Sequence, residues 1–188
     1  DRRPSRCQDQ LPSGIAREVL GYLVGIEKPR ASEILAEAMV TLRHAPGHSP
    51  DVITVRVKED KVLFASDTLL PVPYLDFPGG GNMDDLRRSL RGIEIAGLEN
   101  VVQGHGEVLL RGEIRGAISS SLKYLDCIEQ LVDQHVRSGA PVEALLKTTI
   151  EQCGRSRIPL NGMVQRLHQA NLFYLYQIKS GHPVSRPH

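Results

Sequence analysis

The sequence predicts an α/β fold with a sheet in its first half and a helical region in its second half. Polar and apolar residues alternate over 53–57, which is typical of a half-buried strand. Residues 62–65 are apolar throughout, as in a strand covered on both faces. After about residue 112 the apolar residues recur instead at helical spacing. We therefore expect a sheet over roughly 40–110 with the later helices packed on one of its faces.

The elements expected before residue 112 follow from their apolar patterns and turn residues. Pro46-Gly47 ends the first strand, and the acidic pair at 59–60 separates the next two strands. Asn82 supplies a side-chain oxygen suited to capping a helix. In order, we expect a helix over 32–39, strands over 40–44, 53–57 and 61–65, a helix from Met83 to about Ile95 closed by Gly97, and a strand at 101–102.

Three helices are expected after residue 112. Gly139 closes the first, Pro141 opens the second and Gly154 ends it, which are common positions for these two residue types. The apolar stripe of the third helix includes Met163 and Asn171. The expected ranges are 113–137, 141–154 and 159–178.

The composition is that of an ordinary globular chain, with 188 residues, 40% hydrophobic and 24% charged. A net charge of +1 gives no electrostatic reason to expect nucleic acid or an anionic membrane as partner. No apolar run reaches the length of a membrane span or of a signal-peptide core. The cysteines are odd in number and widely separated, so we expect reduced thiols, small buried apolar groups among them, and a cytoplasmic location: Cys7, Cys127 and Cys153.

Three regions are expected along the chain. Residues 1–30 are basic and rich in turn formers, and their structure is unclear from the pattern, apart from a short helical stripe between Ile15 and Ile26. Residues 31–180 form the principal domain. Residues 181–188 form a tail that contains proline and glycine.

Three candidate metal ligands lie beside small residues where apolar runs end: His48, Asp67 and His105. We expect each to project from a strand end into one cleft. Imidazole nitrogen and carboxylate oxygen suit zinc, iron or manganese. Asp51 follows His48 closely and is a candidate to orient its imidazole ring.

The stretch 44–107 resembles the second half of a metallo-β-lactamase-fold hydrolase. In that family a Gly-His-Ser/Thr turn supplies one metal ligand, a strand ending in Gly/Ser-Asp supplies a bridging carboxylate, and a Gly-His-Gly turn supplies the last histidine. The matching residues are Gly47-His48-Ser49, Ser66-Asp67 and Gly104-His105-Gly106. The resemblance covers about 32–178. It implies a partial metallo-β-lactamase-like αββα sandwich with a C-terminal helical region.

One motif of that family is absent. The family's His-x-His-x-Asp-His motif precedes the Gly-His turn and supplies most ligands of both metals. No two histidines of this chain have the His-x-His spacing, so the sequence contains half of such a site. Two of the seven, His135 and His168, lie within predicted helices and are expected to be surface or interface residues. The full set is His44, His48, His105, His135, His168, His182 and His188.

The resemblance implies a metal-dependent hydrolase in which activated water attacks an ester, thioester, lactam or related bond. His48 would bind one metal, His105 the other, and Asp67 would bridge them as the catalytic carboxylate. The implied cofactor is zinc, as one or two ions, with iron or manganese as alternatives. Three interpretations stay open: part of a longer or two-part hydrolase, a degenerate member that acts as a binding or assembly module, and an unrelated α/β protein.

The loop over 70–81 contains three prolines and a triple glycine. In the resembling enzymes the segment after the aspartate lines the substrate entrance. Tyr74, Asp76 and Phe77 are therefore candidate substrate contacts, on position alone. The glycine spacing does not match a dinucleotide or phosphate-binding loop.

The expected partners are a small-molecule substrate and a further polypeptide, with neither nucleic acid nor membrane. Half of a two-sheet fold leaves an apolar sheet face exposed to water, and such a surface usually marks an interface. A homodimer, an upstream segment or a second chain would cover it. The residues expected on that face are Ile53, Val55, Val62, Leu63 and Phe64.

Overall fold

The computed structural model describes residues 40–75 and 79–181. Five strands form one mixed sheet in the order β1-β2-β3-β4-β5. Neighbouring strands are antiparallel except for the parallel pair β3–β4. The predicted strands are confirmed, and the elements predicted before residue 40 lie outside the described residues. The strands are β1 Val40–His44, β2 Ile53–Val57, β3 Val62–Ser66, β4 Asn100–Gln103 and β5 Leu109–Leu110.

Four α-helices accompany the sheet within the described part of the chain. The predicted cap of the first is confirmed, because the Asn82 side-chain oxygen accepts from the backbone N–H groups of Asp84 and Asp85 at 2.9 and 3.0 Å. Gly139 closes the long second helix in a left-handed conformation, also as predicted. The helices are α1 Met83–Arg91, α2 Arg111–Ser138, α3 Val142–Leu145 and α4 Val164–Ser180, with single 3₁₀ turns at Ile150–Cys153 and Pro159–Gly162.

Helix α1 is shorter than predicted, because it ends at Arg91 and is capped by Gly92 rather than Gly97. Two arginines of the sheet bind the carbonyls beyond it. Arg43 donates to the Gly92 carbonyl, and Arg56 donates to the carbonyls of Glu94 and Ala96. These bonds hold residues 92–96 as an irregular segment against the sheet instead of a continued helix.

The predicted helix over 141–154 is also wrong in its extent, since only Val142–Leu145 is α-helical before the 3₁₀ turn. Two glutamines of α4 bind the backbone of residues 146–150, between the short helix and the 3₁₀ turn. Gln165 accepts from the Ile150 N–H and donates to the Thr148 carbonyl, and Gln169 donates to the Leu146 carbonyl. Helix α4 itself begins at Val164 rather than near residue 159, because residues 160 and 161 have left-handed backbone angles.

The helices pack on one face of the sheet, as predicted. Leu63, Ala65 and Val101 share the main hydrophobic core with residues of α1, α2 and α4. Leu63 was expected on the opposite, open face, and that expectation is wrong because successive strand residues point to alternate faces. On the opposite face Val55 is buried, whereas its cross-strand partner Phe64 is 37% exposed.

A disulfide joins Cys127 of α2 to Cys153 of the first 3₁₀ turn. The expectation of reduced thiols is therefore wrong for this pair. The sequence separation could not reveal the bond, because the two cysteines meet only when the chain folds back between α2 and α4. The expectation of a cytoplasmic location rested on reduced thiols and loses that support. Within residues 40–75 and 79–181, no helix is both long enough and apolar enough to cross a bilayer.

Reduction of this disulfide is expected to lower the free energy of unfolding by about 3 kcal/mol, since the bond closes a loop between cysteines 26 positions apart. Cys127→Ser, Cys153→Ser and the double variant should lose the same amount, as measured by chemical denaturation without reductant. Additive losses in the double variant would show that the cysteines act independently.

A buried polar cluster connects α2 to α4. His168, expected at the surface or at an interface, is instead fully buried in the core, and its Nδ1 lies 3.0 Å from the Tyr124 hydroxyl. Asn171 donates from Nδ2 to the same hydroxyl at 3.2 Å, so the hydroxyl proton is free to bond to His168 Nδ1. Burial lowers the pKa of His168 to about 4.

The protein is expected to lose stability as pH falls from about 6.5 to about 4, by up to about 3 kcal/mol from His168 alone. In this interval the unfolded histidine takes up a proton that the buried one does not, so acid favours unfolding. Denaturant titrations at several pH values measure the slope. A His168→Leu variant should be less stable but should lack this component, whereas His135→Asn should keep it. An equal slope in wild type and His168→Leu would contradict the assignment.

Candidate functional site

The sheet topology brings three loops to one edge of the sheet. Strand β1 is antiparallel to β2, and β2 is antiparallel to β3, so β1 runs in the same direction as β3 and β4. The carboxyl ends of these strands therefore meet at one edge. His48 lies in the loop after β1, Asp67 directly follows β3, and His105 lies two residues after β4.

The carboxylate of Asp67 lies between the two imidazole rings. His48 Nε2 is 3.6 Å from Asp67 Oδ2, and His105 Nε2 is 3.7 Å from Asp67 Oδ1. Both distances exceed a normal hydrogen bond, so each carboxylate oxygen faces its own imidazole without binding it. The side chains of His48 and Asp67 are 17% and 28% exposed, whereas that of His105 is 67% exposed. The site is open to solvent on the His105 side.

The backbone around Asp67 depends on a close approach of Gly104. Ser66 ends β3 with φ of 48°, and its carbonyl accepts from the Gly104 N–H at 3.0 Å. A Cβ atom on residue 104 would lie 2.1 Å from Asp67 Oδ1 and 2.9 Å from its backbone nitrogen. Only glycine leaves room for the carboxylate here. The Gly-His-Gly turn is therefore a packing requirement of the aspartate as well as the turn that carries His105.

Helix α1 supports the loop that carries His48. Gly47 has φ of +144°, and a Cβ atom there would lie 2.3 Å from the Leu86 Cα. The Gly47 carbonyl accepts from the Asn82 N–H at 2.8 Å, and Ser89 donates to the Pro46 carbonyl at 2.7 Å. The helix thus contacts the turn directly, and glycine is required because the two backbones nearly touch.

A backbone carbonyl orients the imidazole of His48. His48 Nδ1 lies 2.9 Å from the Tyr74 carbonyl oxygen. A carbonyl can only accept, so Nδ1 carries the proton and Nε2 presents its lone pair towards Asp67. This is the ring arrangement that a metal-binding histidine needs. Sequence patterns could not identify this partner, because it is a main-chain group 26 positions away.

The other predicted residues of the site differ in their placement. Asp51 accepts from the Ser49 hydroxyl at 2.6 Å, and this bond lowers the pKa of Asp51. Asp51 was expected to orient the His48 ring, but the Tyr74 carbonyl does so instead. The Tyr74 ring centroid lies 5.6 Å from that of His48. The remaining candidates for substrate contact, Asp76 and Phe77, lie outside the described residues.

The donor set suits a metal site in type and spacing but not in number. Nitrogen and oxygen ligands about 2.0–2.2 Å from one zinc ion are roughly 3.3 Å apart in tetrahedral geometry, close to the separations observed here. However, within residues 40–75 and 79–181 no three His, Cys, Asp or Glu side chains converge tightly enough to hold one ion. Asp67 instead pairs with His48 through one oxygen and with His105 through the other. The three side chains therefore form two pairs that share Asp67 rather than one three-residue cluster.

A family model described as the metallo-beta-lactamase superfamily matches residues 14–112, slightly more than half of the chain. The chain belongs to this superfamily. Membership excludes the interpretation of an unrelated α/β protein. The mixed sheet with its C-terminal helices is a partial metallo-β-lactamase-like fold. No curated protein matches the sequence.

Several solved structures resemble the chain over part of their length. A double mutant of the sec-alkyl sulfatase PisA1 is 13% identical, with a TM-score of 0.55, and the match covers 76% of this chain and 24% of that one. A metallo-beta-lactamase family protein from Thermus thermophilus is 17% identical, with a TM-score of 0.46, covering 76% and 44%. The B3 metallo-beta-lactamase BLEG-1 is 28% identical, with a TM-score of 0.37, covering 42% and 39%. This chain thus spans less than half the length of each of them.

Gly104→Ala is expected to displace the Asp67 carboxylate and to lower the free energy of unfolding by about 1–3 kcal/mol, since its Cβ would overlap Oδ1. Gly116→Ala is the matched control, because nothing lies within 4 Å of that added Cβ and the residue is in helix α2. The control should gain up to about 1 kcal/mol through helix propensity. Denaturation of both variants measures the difference, and a neutral Gly104→Ala would contradict the close approach.

Proposed function

We propose that this chain carries half of the active site of a metal-dependent hydrolase that acts on an ester, thioester, lactam or related bond of a small molecule. The observation that supports it is the placement of Asp67, which presents one carboxylate oxygen to His48 and the other to His105. A carboxylate between two imidazoles is the arrangement expected of a ligand that bridges two metal ions.

Each residue has a separate role in this proposal. With metal bound, His48 Nε2 and His105 Nε2 would each supply an imidazole ligand, and Asp67 would supply a carboxylate oxygen on each side. Zinc suits these nitrogen and oxygen donors, and iron or manganese would also be accepted. A metal bound here lowers the pKa of water and polarises the oxygen of the bond under attack. The exposed His105 side leaves room for a substrate, with Tyr74, Asp76 and Phe77 proposed as its contacts.

The proposal requires further ligands. A catalytic zinc normally has three protein ligands, and among residues 40–75 and 79–181 the site offers each ion one imidazole and one carboxylate oxygen. The sequence has no His-x-His pair to supply the others. We propose that a further polypeptide segment, a second chain or a second copy in a homodimer supplies them. Such a partner would also cover Phe64 on the open sheet face.

A second candidate function is a non-catalytic binding or assembly module. The low number of donors per ion favours it, because two ligands hold a metal weakly. The two candidates differ in whether the complete assembly, with its remaining ligands, binds metal through Asp67.

Asp67→Asn is expected to lower zinc affinity by at least about 10–100-fold, since it removes the negative charge and replaces one carboxylate oxygen with an amide nitrogen that cannot bind metal. Asp51→Asn is the matched control, an exposed carboxylate near His48 that accepts from the Ser49 hydroxyl. Zinc content by mass spectrometry and zinc affinity against a competing chelator measure the effect, and hydrolysis of chromogenic esters, thioesters and lactams measures activity.

Unchanged zinc affinity in Asp67→Asn would contradict the proposed site. Zinc binding that depends on Asp67, with no hydrolysis of any of the three bond types by the complete assembly, would favour the binding module instead.

A further inference from the structure

We infer that Asn171, in the C-terminal helix α4, is a positioning residue for the metal site. It acts through the segment 73–75, whose central carbonyl orients His48. This inference rests on the proposed function, because it assigns Asn171 a role in presenting His48 Nε2 to a metal.

Asn171 binds the segment 73–75 through both ends of its carboxamide. Asn171 Oδ1 accepts from the Leu75 N–H at 3.0 Å, and Asn171 Nδ2 donates to the Pro73 carbonyl at 2.8 Å. Donor and acceptor are fixed by the backbone groups, so the carboxamide fits in one orientation only. Asn171 is fully buried, and the two bonds bracket Tyr74 from both sides.

Asn171 is itself bound to a buried tyrosine in the core. Its Nδ2 group also donates to the Tyr124 hydroxyl at 3.2 Å, and that hydroxyl bonds to His168 Nδ1 at 3.0 Å. Tyr124 and His168 are fully buried between α2 and α4. The carboxamide is therefore held by one bond to the core, at the Tyr124 hydroxyl, as well as by its two bonds to the segment 73–75.

The Tyr74 carbonyl links Asn171 to His48. In extended chain, the carbonyl of one residue and the N–H two residues later point to the same side, and the carbonyl between them points to the other. Pro73 and Leu75 bond to Asn171 in this way, and the Tyr74 carbonyl accepts from His48 Nδ1 at 2.9 Å. Asn171 thus sets the position of the carbonyl that accepts from His48 Nδ1.

The consequence concerns metal affinity rather than substrate contact. Without the Asn171 carboxamide, the segment 73–75 loses both side-chain bonds and the Tyr74 carbonyl is free to move away from His48. Partners that orient a ligating histidine typically contribute 10–100-fold to metal affinity. Because Asn171 lies on α4, the C-terminal helical region becomes part of the site.

The test compares Asn171→Asp and Asn171→Leu with Gln169→Leu, all in α4. Asn171→Asp replaces the donor facing the Pro73 carbonyl with an acceptor and nearly preserves shape. Gln169→Leu removes a bond to the Leu146 carbonyl and leaves the segment 73–75 untouched, so it controls for loss of helix stability. Nitrogen-15 NMR of the metal-free protein reports the His48 tautomer, and chelator competition reports zinc affinity.

Wild type and Gln169→Leu should both carry the His48 proton on Nδ1 and bind zinc equally. Both Asn171 variants should show a mixture of tautomers and about 10–100-fold weaker zinc binding. Zinc binding that depends on Asp67 but is unaffected in the Asn171 variants, with the tautomer unchanged, would overturn the inference and leave the proposed function intact. Absence of zinc binding in the wild-type complete assembly would overturn the proposed function, and the tautomer would still decide the positioning role.

Tyr124→Phe is the milder variant if the Asn171 variants fail to fold. It removes only the hydroxyl that anchors the carboxamide, so the expected loss of zinc affinity and of the Nδ1–H tautomer is smaller than that of Asn171→Leu. Tyr124→Phe with wild-type affinity and tautomer would then overturn the inference.

Discussion

The parallel pairing of β3 and β4 is the constraint on which the rest of the structure depends. A parallel pair needs a crossover connection, and here residues 67–99, including α1, provide it. The pairing brings Asp67 and His105 to the same edge. The crossover returns α1 across the loop that carries His48, where Gly47 allows the two backbones to touch. One topological choice therefore brings all three candidate ligands together.

Close backbone approach, rather than attraction between the side chains, determines the site geometry. The imidazole–carboxylate distances of 3.6 and 3.7 Å are too long for hydrogen bonds, so no hydrogen bond joins these three side chains. Gly104 against Asp67, Gly47 against α1 and the Tyr74 carbonyl on His48 hold them instead. A site built this way keeps its spacing before any metal arrives, which lowers the reorganisation needed on binding.

The helical region contributes polar contacts and a disulfide as well as hydrophobic packing. The buried group of Tyr124, His168 and Asn171 extends from α2 and α4 to the segment 73–75, and the Cys127–Cys153 disulfide ties α2 to the chain that leads into α4. These polar contacts lie within an apolar core, where an unpaired group costs about 1–3 kcal/mol. Their arrangement is consequently specific, and it connects the stability of the helices to the position of His48.

The sequence by itself determined the strands, because period-two alternation at 53–57 and the apolar run at 62–65 are local patterns. It also determined the order of the Gly-His, Ser-Asp and Gly-His-Gly triplets, and hence the family. Only the tertiary structure decided the end of α1, the burial of His168, the disulfide and the partner of His48. Each of these depends on contacts between distant positions: Arg43 with Gly92, Tyr124 with His168, Cys127 with Cys153, and Tyr74 with His48. A local pattern reports the backbone period and the buried face, but it does not report which distant group pairs with which.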